Sequence, residues 1–295
     1  MKYALILLIA FFTSCEMGVK SELKSKEETK NKRNLASEFK SYWFDGKAEL
    51  TSYDLEFYRY GEKRKGKAMM IFVTEDFLKD AQVKADSPSE SSISVMKLNS
   101  LKKFNTGIYP YSIMQSVFLP LEQKTPVLKL TSSVQEWCGQ SYAQLNHRKN
   151  FEIEAHSYFE GEADSALEIQ PTQSENEIWI QIRINPKQLE LGEHEILPDF
   201  SYLQLNHKKF KSYKAELKQS EGKFIETNLI YKDLGRIVTI SQEKNFPYAI
   251  EKWKEIEFNS KDTLISSATK IKTLKTKYWQ QNSSKYLHLR DSLGL

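Results

Sequence analysis

Cysteine is nearly absent from this 295-residue chain. Only Cys15 and Cys138 occur, too few for a disulfide framework. Glycine is scarce at 11 residues, and neither G-x-G-x-x-G nor a P-loop is present. No backbone cradle for phosphate is therefore written into the sequence. His147, His156, His194, His207 and His288 show no zinc-ligand spacing, and the nucleophile elbow G-x-S-x-G is missing. Charge of one sign is not in excess. The 43 Lys and Arg against 39 Asp and Glu leave a net +4, which gives no electrostatic case for nucleic acid. After the first dozen residues no apolar run approaches the roughly 20 residues that cross a bilayer. Mean hydropathy is −0.57. These absences exclude a polytopic membrane protein and leave no cofactor or metal site to assign.

What is abundant is aromatic: 16 Phe, 15 Tyr and 5 Trp can fill the core of a body poor in aliphatic residues. The N-terminus reads as an address. Lys2 supplies a positive charge, residues 4–12 form an unbroken apolar stretch, and Thr13-Ser14-Cys15 follow. That order is a secretory signal peptide, too short to span a bilayer as a helix. A cysteine directly after small residues resembles the lipobox of bacterial lipoproteins, with Phe12 and Ser14 where that pattern prefers Leu and Ala or Gly. The resemblance implies that Cys15 becomes the first residue and carries the lipid anchor; two or three acyl chains give stable attachment. Residues 16–34, mostly Lys, Glu, Ser and Asn, read as a tether with a coil reach of about 25 Å. The expected organisation is a signal peptide at 1–14, lipidated Cys15 and tether to 34, and one β-rich domain over 35–295.

Leu35, Phe39 and Trp43 are spaced by four and predict a short opening helix. Period two then dominates. Strands are expected at 47–59, 67–74, 93–104, 111–119, 126–135, 140–147, 151–159, 200–206, 210–218, 223–231, 235–241 and 250–258, with a charged hairpin turn over Gly61–Gly66. Residues 174–184 carry two patterns. Ile178, Ile180, Ile182 and Ile184 alternate as in a strand, whereas Ser174 with Glu177 forms a capping box and Asn185-Pro186 stops a helix. We lean to helix there. Residues 262–295 read as partly helical, with Ser283 or Ser284 as a cap. The fold class is mainly β: one large curved antiparallel sheet or half-open barrel of about 11–12 strands, a short N-terminal helix and one or two further helices.

Two resemblances follow from longer patterns. Arg183, Asn185-Pro186, Leu189 with Gly192, Gly235-Arg236, Phe246-Pro247 and Trp253 occur in the order shared by a family of uncharacterised β-rich bacterial envelope proteins. The blocks at 104–115, 134–139 and 156–164 resemble bacterial lipoproteins that carry the label septum formation inhibitor Maf. Maf proteins are nucleotide pyrophosphatases with a Ser-x-Ser-Pro-Arg-Arg start and a Lys-Pro-x-Asp-like site. Neither motif occurs in this chain, whose Ser87-Pro88 lies in a polar loop, so no residue here inherits that activity.

Three constellations remain. Cys138, beside Glu136 and Trp137, would act as a nucleophile if His147 or His156 lay within hydrogen-bond reach; otherwise it is a small thiol in a sheet. Glu152, Glu154, His156 and Glu160, with Glu162 and Asp164 near, would share a strand face able to bind a divalent cation or do acid–base work, or else a solvated face. Tyr53, Phe57, Tyr109, Tyr111, Trp137 and Tyr158 could line a cavity for a lipid or other apolar ligand, or simply fill the core. The expected function is that of a membrane-anchored, non-enzymatic binding or envelope-assembly module. Its partners would be the membrane through the N-terminal lipid, an apolar ligand, or another envelope protein. The competing reading is a hydrolase or transferase using Cys138 or the acidic face.

Overall fold

In the computed structural model, which describes residues 32–258 and 262–295, two-residue alternation becomes sixteen strands. They are Ala48–Arg59 (β1), Glu62–Leu78 (β2), Val83–Lys84 (β3), Ser92–Thr106 (β4), Tyr109–Pro120 (β5), Lys129–Glu136 (β6), Gly139–His147 (β7) and Phe151–Ser157 (β8). The second half contributes Asp164–Ile169 (β9), Gln173–Ser174 (β10), Gly192–Leu197 (β11), Tyr213–Glu221 (β12), Ile225–Tyr231 (β13), Arg236–Gln242 (β14), Ile250–Phe258 (β15) and Thr263–Thr276 (β16). Helices are Ser37–Trp43 (α1), Glu175–Ile184 (α2), Phe200–Leu205 (α3) and His288–Ser292 (α4). The expected signal peptide, Cys15 and most of the expected tether lie outside the described residues.

All strands belong to one mainly antiparallel sheet in the order β10-β11-β12-β13-β14-β15-β16-β1-β2-β4-β5-β6-β7-β8-β9, with β3 beside β2. The sheet is open: β9 and β10 are its edges. It curls around α2, whose residues are buried on nearly every side. Register breaks at Ser52/Tyr53 and Ser241/Gln242 are bulges that add local bend. The main core fills the concave side, from Phe39 and Trp43 of α1 through Ile178, Ile180 and Ile182 of α2 to Phe200 and Leu203 of α3. A smaller cluster of Ala48, Leu50, Val73 and Leu293 ties the C-terminal tail to the sheet.

The helix expected at 174–184 forms. Ser174 Oγ accepts from the Glu177 N–H at 3.2 Å and donates to Glu177 Oε2 at 3.1 Å, so cap and carboxylate satisfy each other. Several details differ. Residues 200–206, read as a strand, form α3, because Asp199 caps the turn by accepting from the Tyr202 N–H at 2.9 Å. Residues 263–276, read as partly helical, form β16, and Ser283 makes no side-chain cap. Besides β16, sequence alternation missed β3, β9, β10 and β11, which are short or polar. The β1–β2 turn is Tyr60-Gly61 alone, and Gly66 pairs with Leu55 inside the hairpin. A Cβ at Gly66 would lie 2.1 Å from the Lys103 carbonyl oxygen, so this close approach demands glycine. Lys32 and Arg33, assigned to the tether, already belong to the body. Lys32 bridges Gln123, and Arg33 donates from its N–H to Glu122 at 2.8 Å.

Candidate functional site

Toward one end of the sheet the inner face changes from apolar to charged. Alternate residues share a face. On β1, Tyr53, Leu55 and Phe57 lead to Arg59; on β15, Trp253 leads to Glu255 and Glu257; on β4, Leu98 and Ser100 lead to Lys102; β14 opens with Arg236. Arg236 reaches Glu175 with two hydrogen bonds of 2.6 and 2.8 Å and Glu255 with one of 2.7 Å, and stands 4.2 Å over the Tyr202 ring. Burial opposes its charge, but these carboxylates keep it ionised. Asp199 accepts from Ser201, the Tyr202 N–H, Gln115 and Asn176, so α2, α3 and β5 meet on one carboxylate.

Above this network lies a mouth cavity of about 130 Å³, lined by Phe57, Arg59, Tyr60, Lys102, Tyr202 and Glu257 among others. Burial, reinforced by the neighbouring Glu255, pushes the Glu257 carboxyl up to about 7. Arg59 donates to the Leu205 carbonyl at 2.9 Å and stacks 4.4 Å from the Tyr60 ring. Deeper, between α2 and the sheet, the void is only about 30 Å³.

The same end carries an aromatic rim. Turns after β1, β4, β6 and β8 fall together because successive strands are antiparallel. From the core, Phe57 stacks on Phe104 at 4.7 Å and Phe104 on Tyr111 at 5.0 Å. The ladder continues outward through Tyr109 to Trp137, 6.4 Å apart. Tyr60 Oη and Tyr111 Oη are 2.7 Å apart. Tyr158 lies over Gly139, where a Cβ would come within 2.6 Å of the ring, and donates to Glu136 at 3.1 Å. Phe159 meets His207, which in turn contacts Glu162 at 2.6 Å. Tyr60, Ile108, Trp137, Tyr158 and Phe159 are exposed, Trp137 by 69%.

Of the residues expected to line a cavity, Tyr109, Tyr111, Trp137 and Tyr158 thus gather at this rim. Tyr53 is buried, donates to the Ile250 carbonyl at 3.0 Å and packs edge-on to Trp253. Phe57 borders the small mouth cavity. Among the described residues, the void of about 30 Å³ between α2 and the sheet leaves no room for an acyl chain. Cys138 is exposed at the β6–β7 turn, and a hydrogen bond to the Glu136 carboxylate holds its thiol above its ordinary pKa. No hydrogen bond joins it to a histidine among the described residues. His147 sits at the far end of β7 against the Val127 carbonyl, and His156 pairs with Asp164 at 3.1 Å on the outer face. The nucleophile–base pair is therefore not assembled. Glu154 is exposed, Glu152 pairs with Arg148 at 3.2 Å, and Glu162 binds Ser157 and His207. The acidic strand face is a solvated surface. Among the described residues no cluster of three or more His, Cys, Asp or Glu is placed to hold a metal ion.

A second cavity, about 430 Å³, lies toward the opposite end beside the free part of the β11 edge. Arg33, Thr125, Glu177, Gln181, His194 and Glu195 contribute to it. Burial raises the Glu177 carboxyl to about 7, against hydrogen bonds from the Val127 N–H and Ser174. Sequence reasoning missed the mouth residues Arg59, Lys102, Arg236, Glu255 and Glu257. The available signal was a charge at the end of each alternating apolar face.

No protein-family model matches the chain, and no curated protein matches it. Among solved structures it is similar to the beta-barrel-like protein of domain of unknown function DUF1849 from Brucella abortus. The two share 7% identity over 78% of this chain and 98% of that one, with a TM-score of 0.45.

Proposed function

We propose that this chain is a lipid-anchored, non-enzymatic module of the bacterial envelope that docks a partner protein through its aromatic rim. The observation that carries the reading is the gathering of exposed Tyr60, Trp137, Tyr158 and Phe159 on adjacent turns at one end of the sheet. Tyr, Trp and Arg are the residues that dominate protein–protein hot spots, and Arg59 sits among them. The rim also faces away from the tether. Tyr109 is the first residue of β5, and Pro120, whose carbonyl accepts from Arg33 at 2.6 Å, is its last. The two are the ends of this twelve-residue strand, about 37 Å apart. A body held by Cys15 would thus present its aromatics away from its own bilayer. The shallow interior favours a protein partner over a swallowed lipid.

The test places a photo-crosslinking residue at Trp137 in cells and, as a control, at Leu191 on the opposite end. Adducts specific to Trp137, lost in a Tyr60→Ala/Tyr158→Ala background, support the reading. Equal or absent adducts at both positions reject it. Cys15→Ser is expected to move the protein out of the membrane fraction.

A further inference from the structure

The mouth cavity holds charges of both signs that no salt bridge closes: Arg59 faces Glu257, and Lys102 acts on Asp199 below. Glu257 has no hydrogen-bond partner among the described residues, although it belongs to an otherwise well-paired inner face. Lys102 enters no ion pair among the described residues and rests 5.6 Å from the Phe57 ring centre. Arg59 Nε is buried without a partner. The charges beneath are all engaged: Glu175 and Glu255 by Arg236, Asp199 by four donors. Withdrawn charges are costly unless something of opposite sign meets them. A cavity bordered by an acid and two bases is matched by a molecule carrying both charges.

We propose that this cavity binds a small zwitterion, an α-amino acid of alanine's size, with its ammonium on Glu257 and its carboxylate on Lys102 and Arg59. The enclosed volume sets the scale of the bound group, the mouth being open to solvent. A cavity of about 150 Å³ accepts benzene, with six heavy atoms. The mouth cavity, at about 130 Å³, accepts about as many. Selectivity follows from the paired charges: a ligand with only one leaves a half-buried charge unmet. The site shares Arg59 and Tyr60 with the rim, but its binding is read on the purified protein without the rim's partner.

Calorimetric titration of the full-length, detergent-solubilised protein tests this, with L-alanine and glycine as probes and acetate and methylammonium as half-ligands. The expected result is one saturable site for L-alanine, with half-ligands at least about tenfold weaker. Glu257→Gln and Lys102→Met each weaken L-alanine at least about tenfold, whereas Lys254→Met, on the exposed face of β15, leaves it unchanged. Thermal unfolding of each variant shows that it is folded. Affinity also rises with pH through about 7, as Glu257 ionises beside Glu255, with Arg236 from β14, Arg59 from β1 and Lys208 after α3 facing it. Three results each overturn the proposal: no saturable binding by either amino acid, acetate binding as tightly as L-alanine, or a folded Glu257→Gln protein with unchanged affinity.

Discussion

Arg183 and Glu49 are 1% and 2% exposed, 134 positions apart, and joined by hydrogen bonds of 2.7 and 2.9 Å. Trp43 and Phe72 flank the guanidinium, and the Pro247 carbonyl accepts from Nε. Burial alone would raise the Glu49 carboxyl, but Arg183 and the Tyr42 hydroxyl hold it below the usual carboxylate range. Arg183→Met strands that carboxylate and is expected to cost about 3–5 kcal/mol in urea unfolding, with Arg183→Met/Glu49→Gln costing less than the sum of the singles. Glu177 behaves oppositely. Its folded pKa, about 7, lies above its unfolded value. Its favourable contribution is therefore complete below about pH 4.3 and is lost as pH rises through 7. Between pH 5 and 8 this single group should remove roughly 3 kcal/mol of stability. Glu177→Gln should flatten that slope; an unaltered pH dependence would refute the assignment. The Arg183–Glu49 pair was not legible in the sequence, since partners so far apart in the chain meet only after the sheet has curled, whereas the Ser174–Glu177 cap was.

Elements were read best where periodicity and end signals agreed. Alternation placed β1, β4, β5 and β8 within a few residues; β8 buries one face and wets the other throughout, whereas β1 alternates only in its second half, its first six residues being buried on both faces. In α2 the alternating isoleucines argued for a strand, and the Ser174–Glu177 cap decided for helix. The reason is visible in the packing: α2 is surrounded by the sheet, so a helix uniformly apolar at 178, 180, 182 and 184 is tolerated. The opposite error occurred at α3, where Phe200-Ser201-Tyr202-Leu203 alternates but Asp199 nucleates a turn. β16 escaped notice because its Lys, Ser and Thr residues give weak contrast between faces. The mouth charges were overlooked for a related reason. One Arg or Glu at a strand end looks like solvent-facing residue until neighbouring strands bring several together. A substitution at the rim tests element placement. Gly139→Ala should swing Tyr158 off β7 and break its bond to Glu136, which loss of Trp137 crosslinking would report while the unfolding midpoint stays nearly fixed.

At the scale of the molecule, the curved antiparallel sheet was legible and its connectivity was not. Hydrophobic patterning says which face each strand buries but not which strand lies beside it. The chain's two halves meet where β1 pairs with β16. A protein ending at residue 258 would leave β1 and β15 each with a bare edge in the middle of the sheet. We expect it to lose cooperative unfolding and become protease-sensitive; a sharp, single transition in the truncated protein would contradict this. Thr51 and Thr273, which share a hydrogen bond across that pairing, are 222 residues apart. A polypeptide threaded through an export channel from its amino end delivers β1 first and its neighbour almost last. Under the proposed export, the seam between β1 and β16 closes only after the tail is released, so β1 keeps one unpaired edge throughout its passage.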